Sequence, residues 1–288
     1  MPKKIIIPNS LEMIKKLINK VDGFIIGIKE LSTNLPFYVD DLESTISFIK
    51  ESNKEIFVSL NKNIHNSDLP LLKEILLKLE ELNVTGVIYY DASIVNLKKE
   101  LNLNINLVWG QEHMTTNYLT ANYWNSLGIE FMLVSNEITI DEIIEISKKT
   151  NMKLMVQLFG YIPIFNSRRH LVKNYLKTFD LDDADSYFIE KEGKSYSIVD
   201  DNNGTTVYSA NILNGIGEYL KLMKNNIEYI ILNSYEIKTE QFEKIVELFN
   251  SVSENNVDSY VETIDDMFGN IDRGFLYTET VYKVKNNE

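Results

Sequence analysis

The sequence predicts a (β/α)8 barrel of the TIM type, with a small β-insertion between its seventh and eighth units. Three observations support this fold class. Short β-branched apolar runs alternate with longer segments of helical period, the alternation occurs eight times, and it occupies roughly the 250 residues that such a barrel requires. Several of the apolar runs are hydrophobic nearly throughout, as expected for parallel strands covered on both faces. A doubly wound open sheet is the alternative fold.

The predicted strands are short runs rich in Ile, Val, Leu, Phe and Tyr, the residues that favour extended structure. Such runs are typical of the buried strands of a parallel sheet. In chain order they are Lys4–Ile7, Phe24–Ile28, Ile56–Leu60, Gly86–Tyr90, Ile105–Trp109, Phe131–Val134, Leu154–Phe159 and Tyr229–Leu232.

The predicted helices follow the strands and carry apolar residues at helical spacing. In Leu69–Leu82, for example, Leu72 and Leu76 fall on one stripe, and Asp68 and Pro70 are typical of a helix start. The full set is Leu11–Asn19, Asp41–Ser52, Leu69–Leu82, Ser93–Leu101, Tyr118–Leu127, Asp141–Thr150, Arg169–Phe179, Leu213–Asn225 and Glu240–Ser253.

Two segments interrupt the alternation. Residues 186–210 contain three strand patterns separated by turn residues, which predicts the β-insertion. The tail from about residue 255 contains a short helix, Arg273-Gly274-Phe275 and a strand-like run at Thr280–Lys285. Since no linker rich in Pro, Gly or Ser divides the chain, the sequence predicts one domain over residues 1–288, with a C-terminal extension over about 255–288.

Composition excludes several kinds of chemistry. The chain has 288 residues and no cysteine, so it offers no disulfide, no cysteine nucleophile and no thiolate ligand for an iron–sulfur cluster. Its net charge of −13 disfavours nonspecific binding of nucleic acid by the whole surface. We find no signal-peptide pattern and no apolar run long enough to cross a membrane. The sequence therefore predicts a cytoplasmic protein without a membrane partner.

The densest polar stretch at a predicted strand end is Gly160–His170, after the seventh strand, and barrel chemistry takes place at such ends. Ser167 is a candidate N-cap for the next helix. Arg168, Arg169 and His170 would then occupy its first turn, where cations oppose the helix dipole. A bound phosphate or carboxylate would compensate for that cost, which makes these four residues candidates for anion binding. The alternative is that two surface arginines pair with Asp or Glu of the insertion.

A second candidate stretch, Gln111–Asn117, follows the fifth strand. Glu112 and His113 are candidate catalytic groups because they can act as acid and base at the barrel mouth, and Glu137 after the sixth strand is a third. Gln111 is a candidate substrate ligand. A helix-capping cluster would explain the polar end of the stretch without any chemistry. The spacing matches no metal-ligand motif, so we predict no metal site.

Two further polar positions follow strands and are candidates for binding substrate. Asn61 follows the third strand, and Asp91 follows the fourth. The alternative for Asn61 is an ordinary polar loop that leads to the next helix cap. For Asp91 the alternative is a helix cap.

Six segments carry a pattern that runs in order along most of the chain, namely Asn61–Leu97, Gln111–Trp124, Leu133–Thr139, Phe159–Tyr175, Tyr196–Ser209 and Arg273-Gly274-Phe275. These segments resemble the peptidase U32 family, the collagenase-like proteases. The resemblance implies a barrel-like domain, and the family name implies a peptidase. Some members instead hydroxylate the wobble uridine of tRNA and require prephenate, and some bacteria have a short and a long member, of which this chain is similar to the short one.

The chain departs from the family at the ligands of its iron–sulfur cluster. The family motif reads approximately G-x-x-C-x-x-x-S-x-R-C. Gly160, Ser167 and Arg169 match this motif, but Pro163 and His170 stand at its two cysteine positions. The resemblance therefore implies a member without the cluster.

The sequence leaves three functions open. The first is a component of tRNA wobble-uridine 5-hydroxylation that acts beside a longer, cysteine-bearing paralogue; Arg169, with Arg168 or His170, would bind a phosphate of tRNA or a carboxylate of prephenate. The second is a peptidase in which one of the candidate catalytic groups activates water. The third is a non-catalytic binding subunit built on an inherited barrel.

Overall fold

The computed structural model describes residues 1–278, so the strand-like run predicted at Thr280–Lys285 lies outside the described residues. Eight parallel strands of this part of the chain form the barrel. They are β1 Lys3–Ile7, β2 Gly23–Gly27, β3 Glu55–Leu60, β4 Gly86–Tyr89, β5 Leu107–Trp109, β6 Phe131–Leu133, β7 Lys153–Gly160 and β13 Tyr229–Asn233.

The strands pair in the order β13-β1-β2-β3-β4-β5-β6-β7, and β7 pairs in turn with β13. The sheet therefore closes on itself, and the predicted TIM-type barrel is confirmed. Helices cover its outside: α1 Leu11–Leu17, α2 Leu42–Glu51, α3 Leu69–Glu81, α4 Ser93–Glu100, α5 Tyr118–Ser126, α6 Ile140–Lys149, α8 Tyr219–Lys224, α9 Thr239–Ser251 and α10 Val257–Met267.

Both faces of the barrel strands are buried, which explains their nearly continuous apolar sequences. Inside the barrel, Phe57 contacts the rings of Phe131 and Tyr229 edge-on, with centroids 5.9 and 5.6 Å apart. The outward-facing side chains of the strands pack under the helices, in one core with helix residues such as Leu72 and Leu76 of α3. Because aromatic and branched side chains fill the interior, the space for a ligand lies at the mouth.

A second sheet of four antiparallel strands lies beside the mouth in the described part of the chain. Its strands are β8 Pro163–Ser167, β9 Tyr187–Lys191, β10 Lys194–Asp201 and β11 Gly204–Tyr208, in the order β8-β11-β10-β9. The last three correspond to the predicted insertion strands. Gly204, at φ 125°, lets β11 pair with β8, because a Cβ there would collide with the carbonyl of Ser167.

The structure differs from the predicted elements in two places. Strand β8 falls where the sequence predicts a loop and a helix start, and the next helix, α7, begins later and covers Leu171–Phe179. The predicted helix Leu213–Asn225 is a strand, β12 Ile212–Asn214, followed by a 3-10 turn and α8. Strand β12 also pairs with β14 Ile271–Asp272, which joins the tail to the barrel. Across residues 1–278, every helix is too short or too polar to span a bilayer.

Candidate functional site at the barrel mouth

Polar side chains surround an open pocket at the carboxyl ends of the barrel strands. This mouth pocket has about 920 Å³ of empty space, and isoleucines at the top of the barrel interior form its floor. Asn34, Gln157 and Asn233 are among the amides around it. Four residues predicted from the sequence line it as well, namely Asn61, Glu112, His113 and Glu137.

A second, more polar pocket, with about 600 Å³ of space open to solvent, adjoins the mouth pocket and shares Asn61, Glu112 and His113 with it. We call it the side pocket. Strand β8 and the residue after it form one wall and contribute Ser167 and Arg168. The two pockets together place the three acid–base candidates beside Ser167 and Arg168, two of the four residues predicted to bind an anion.

Glu112 is a partly buried carboxyl group at the mouth whose pKa is shifted. Its backbone lies in the left-handed region at φ 37°, which is uncommon for a glutamate. The Nδ2 of Asn34 donates a hydrogen bond of 2.9 Å to its Oε1. Burial raises the pKa of Glu112 above its usual value, although His113 and the bond from Asn34 oppose this shift. A carboxyl with a raised pKa can donate a proton closer to neutral pH.

His113 and Glu137 lie beside Glu112 and contact each other. The Nδ1 of His113 is 3.0 Å from Oε1 of Glu137, and about half of each side chain is exposed. The three predicted catalytic groups therefore meet at one side of the mouth pocket. This arrangement can take up and release protons, because a carboxyl, an imidazole and a second carboxylate lie within one cluster.

Asn34 is a site residue that the sequence analysis missed. In addition to its bond to Glu112, its Oδ1 accepts a 2.6 Å hydrogen bond from Oγ1 of Thr206 on β11. Asn34 thus connects the second sheet to the mouth. It lies in an irregular loop after β2, at φ 61°. An Asn is common at such backbone angles, but no periodic pattern marks its position.

Arg168, rather than Arg169, faces the side pocket. Its Nη1 donates to the carbonyl of Asn63 at 2.8 Å and lies 3.2 Å from Oδ2 of Asp68. The side chain of Arg169 is exposed and does not line either pocket in the described structure.

Asp68 therefore has a different role from the one predicted. It makes no side-chain cap on α3 and instead accepts a 2.9 Å hydrogen bond from the backbone of His65. Burial opposes ionisation of Asp68, but this bond and the nearby Lys62 and Arg168 hold its pKa below the usual value. Part of the positive charge of Arg168 is consequently neutralised within the protein.

The predicted helix start at Ser167 was wrong. Ser167 continues β8, and its Oγ accepts a hydrogen bond from the backbone of Arg169. Helix α7 starts after His170, and the Oδ2 of Asp200 accepts the N–H groups of Val172 and Lys173 at 2.9 and 3.2 Å. A carboxylate of β10 thus occupies the helix end where the sequence analysis placed a bound anion.

Asp200 also binds His170, with 2.7 Å between its Oδ1 and the ring Nδ1. The alternative of two arginines paired with acidic residues of the insertion does not describe this contact, since the insertion residue Asp200 meets His170, whereas Arg168 lies beside Asp68. Pro163 and His170 stand where the family has cysteines. A proline side chain offers no ligand atom, and the chain has no cysteine, so the residues at these two positions do not supply the thiolate ligands of the family motif. Residues 1–278 contain no group of three His, Asp or Glu side chains placed to hold a metal ion.

Asp91 and Gln111 support the loops around the site. The Oδ1 of Asp91 accepts the backbone N–H of Ser93 at 2.8 Å. Gln111 accepts from Nε1 of Trp109 at 2.8 Å and donates to the carbonyl of Tyr90 at 2.6 Å. Neither side chain lines the mouth or the side pocket in the described residues.

The closed barrel, its polar mouth and the added sheet define a class of barrel protein with a ligand site at the carboxyl ends of its strands. Residues 10–280 match the sequence profile of peptidase family U32. The chain belongs to this family, and the resemblance noted from its motifs is confirmed.

Two relatives from Bacillus subtilis (strain 168) are informative. The chain is 25% identical to "tRNA hydroxylation protein P2" over 98% of its own length and 99% of that protein. It is 23% identical to "tRNA hydroxylation protein P1" over 54% of its own length but only 36% of that longer protein. Among solved structures, that of the U32 peptidase Mk0906 covers 83% of this chain and 95% of its own, with a TM-score of 0.53 and 14% identity, which supports the fold alone.

Proposed function

We propose that this protein is a component of tRNA wobble-uridine 5-hydroxylation and acts in the cytoplasm beside a longer, cysteine-bearing member of family U32. The observation that carries the proposal is the end-to-end match to a tRNA hydroxylation protein. The occurrence of a P1 and a P2 protein in one bacterium supports a paired arrangement. The peptidase alternative is not favoured, because the full-length relative carries the tRNA name.

The two pockets at the mouth are the proposed binding site for an anionic substrate or co-substrate. Arg168 and His113 supply positive charge or hydrogen-bond donors, and the amides of Asn61 and Asn34 border the same opening. Prephenate, a dicarboxylate, is the proposed co-substrate. Guanidinium and amide donors are the groups that bind carboxylates well.

Proton transfer is the proposed contribution of Glu112, since its pKa is raised and it borders both pockets. The chain has no cysteine for a cluster, so the paralogue would provide the redox chemistry. The paralogue would also provide basic surface, because a chain of net charge −13 is poorly suited to neutralise tRNA phosphates by itself.

The test is the nucleoside composition of total tRNA, measured by mass spectrometry in a strain that lacks the gene. We expect 5-hydroxyuridine derivatives to disappear and to return with the wild-type gene. Complementation with Glu112→Gln or Arg168→Ala should fail, and the matched control Arg169→Ala should restore the modification. An unchanged nucleoside profile in the deletion strain would overturn the proposal, and assays of gelatin or casein cleavage would then test the peptidase alternative.

A further inference from the structure

The second sheet has an outer face, turned away from the barrel, that is apolar and only partly covered: Phe165 is 47% exposed, whereas Val207 is buried. The strand registers place Phe165, Val207, Ile198 and Tyr187 in one row across all four strands, because Phe165 pairs with Val207, Val207 with Ile198, and Ile198 with Tyr187. Cross-strand neighbours on one face contact each other, so the row is a continuous apolar surface.

Helix α7 borders this row without closing over it. Leu171, Val172, Tyr175 and Leu176 line a groove with the outer face of the sheet, and the groove also includes Phe188 and Ile189 of β9. Tyr175 is 58% exposed and Phe188 is 51% exposed. Large apolar patches of this kind, with a polar rim, mark protein–protein contact sites.

The rim of the groove is acidic on one side. The segment from Asp180 to Glu192 runs from the end of α7 through β9 and contains six acidic residues and one lysine. Nearly every residue of this segment is exposed. An acidic rim disfavours tRNA, whose phosphates it would repel. A second copy of this chain is disfavoured as well, because each copy carries a net charge of −13.

We propose that this groove, lined by α7 and the outer face of the second sheet, is a docking surface for a different protein whose apolar side chains are flanked by Lys or Arg. Charge complementarity with the acidic segment selects this partner. The assignment of the partner as the longer family member rests on the proposed function. The second sheet contacts the mouth through its inner face, so a partner on its outer face would lie close to the pockets without filling them.

The test uses the purified full chain and the longer U32 protein encoded in the same genome. The affinity is measured by titration calorimetry, and the size of the complex by light scattering. Tyr175→Asp should weaken binding by about tenfold or more, as expected for a tyrosine at the centre of an interface. Tyr123→Asp is the matched control, since Tyr123 is 59% exposed on α5 and, like Tyr175, contacts a neighbouring aromatic ring.

A double charge reversal tests the electrostatic part of the inference. Asp182→Lys with Asp185→Lys should also weaken the complex, and the loss should shrink as salt is added. Both variants change exposed residues, and circular dichroism would verify that they fold.

Three results would overturn the inference. These are equal affinities for wild type and Tyr175→Asp, the absence of a complex with the longer protein, and a homodimer that Tyr175→Asp disrupts. None of them decides the proposed function, which depends on the nucleosides of the deletion strain. If that strain keeps its 5-hydroxyuridine while the complex forms through the groove, the proposed function fails and the docking surface stands.

Discussion

The barrel and the sheet beside its mouth are held in place in different ways. The barrel is stabilised by apolar side chains on both faces of its strands, such as Ile6 outside and Phe57 inside, which are fully buried. The second sheet has an outer face that α7 covers only in part, and its inner face is attached to loops of the barrel by specific contacts. The position of the sheet therefore depends on a few residues, whereas the barrel depends on many.

The contacts beneath the sheet are mostly polar. Thr206 donates to Asn34, and Nδ2 of Asn203 donates to the carbonyl of Ser32 at 2.7 Å. One aromatic contact accompanies them, since the ring of Tyr208 stacks on that of Tyr235 with centroids 3.8 Å apart. Because Asn34 also binds Glu112, we expect the attachment of the sheet to be coupled to the protonation of Glu112 in the candidate site.

The largest expected effect is that of Phe57→Ala, inside the barrel. The substitution leaves a cavity between Phe131 and Tyr229, so the free energy of unfolding should fall by about 3–5 kcal/mol. Urea denaturation measures it, with Tyr123→Ala as an exposed aromatic control. A loss similar to that of the control would mean that the barrel interior is not the main source of stability, and the contrast with the second sheet would fail.

A smaller but more informative effect is expected for Asn34→Ala. Thr206 and Glu112 both lose a buried hydrogen-bond partner, so the free energy of unfolding should fall by about 1–3 kcal/mol. The bond from Asn34 lowers the pKa of Glu112, and its removal should raise that pKa further. NMR titration of the Glu112 carboxyl carbon would measure this shift. A loss of stability without any change in the titration of Glu112 would show that the attachment of the second sheet and the protonation of Glu112 are independent.

Asp200→Ala tests the second sheet by itself. The variant leaves the N-terminal amides of α7 and the ring of His170 without their carboxylate, and a loss of about 1 kcal/mol is expected. Hydrogen exchange should become faster in α7 while the barrel strands keep their protection. Asp182→Ala, in the exposed loop after α7, is the control. Faster exchange throughout the barrel would show that the two regions unfold together.

The sequence predicts the barrel well because each strand is marked by its own residues. Ile5, Val58 and Ile231 lie in apolar runs that need no knowledge of distant partners. It also places Glu112 and His113 at the mouth, since both follow a predicted strand directly. These successes share a cause, which is that period and strand order determine where such residues go.

What the sequence analysis missed depends on contacts between distant segments. Strand β8 contains Asn166 and Ser167, which resemble loop residues until β11 supplies a partner strand. The partner of Arg168 is Asp68, 100 residues away, and the ligand of the α7 amides is Asp200, on a strand that follows the helix. No local pattern identifies such partners. The sequence alone therefore could not show that Asp200 occupies the start of α7, where a bound anion was predicted.

Glu112→Gln has the smallest expected effect on stability, and the effect depends on pH. Desolvation raises the pKa of Glu112 in the folded protein. A carboxyl with a raised folded pKa binds its proton more tightly in the native state than in the unfolded state. Its contribution to the free energy of unfolding is therefore fully present below the unfolded pKa and is lost as the pH rises through the folded pKa.

The neutral glutamine has no such dependence, so the stability of the wild type relative to Glu112→Gln should fall as the pH rises from about 4, near the unfolded pKa, through the raised pKa of the folded state. Urea denaturation at a series of pH values measures this difference, and Glu81→Gln, at an exposed position on α3, controls for the loss of a negative charge. A difference that rises with pH would show that the folded protein favours the carboxylate. Glu112 would then be an anion held by Asn34, and its proposed role as a proton donor at the mouth would be untenable.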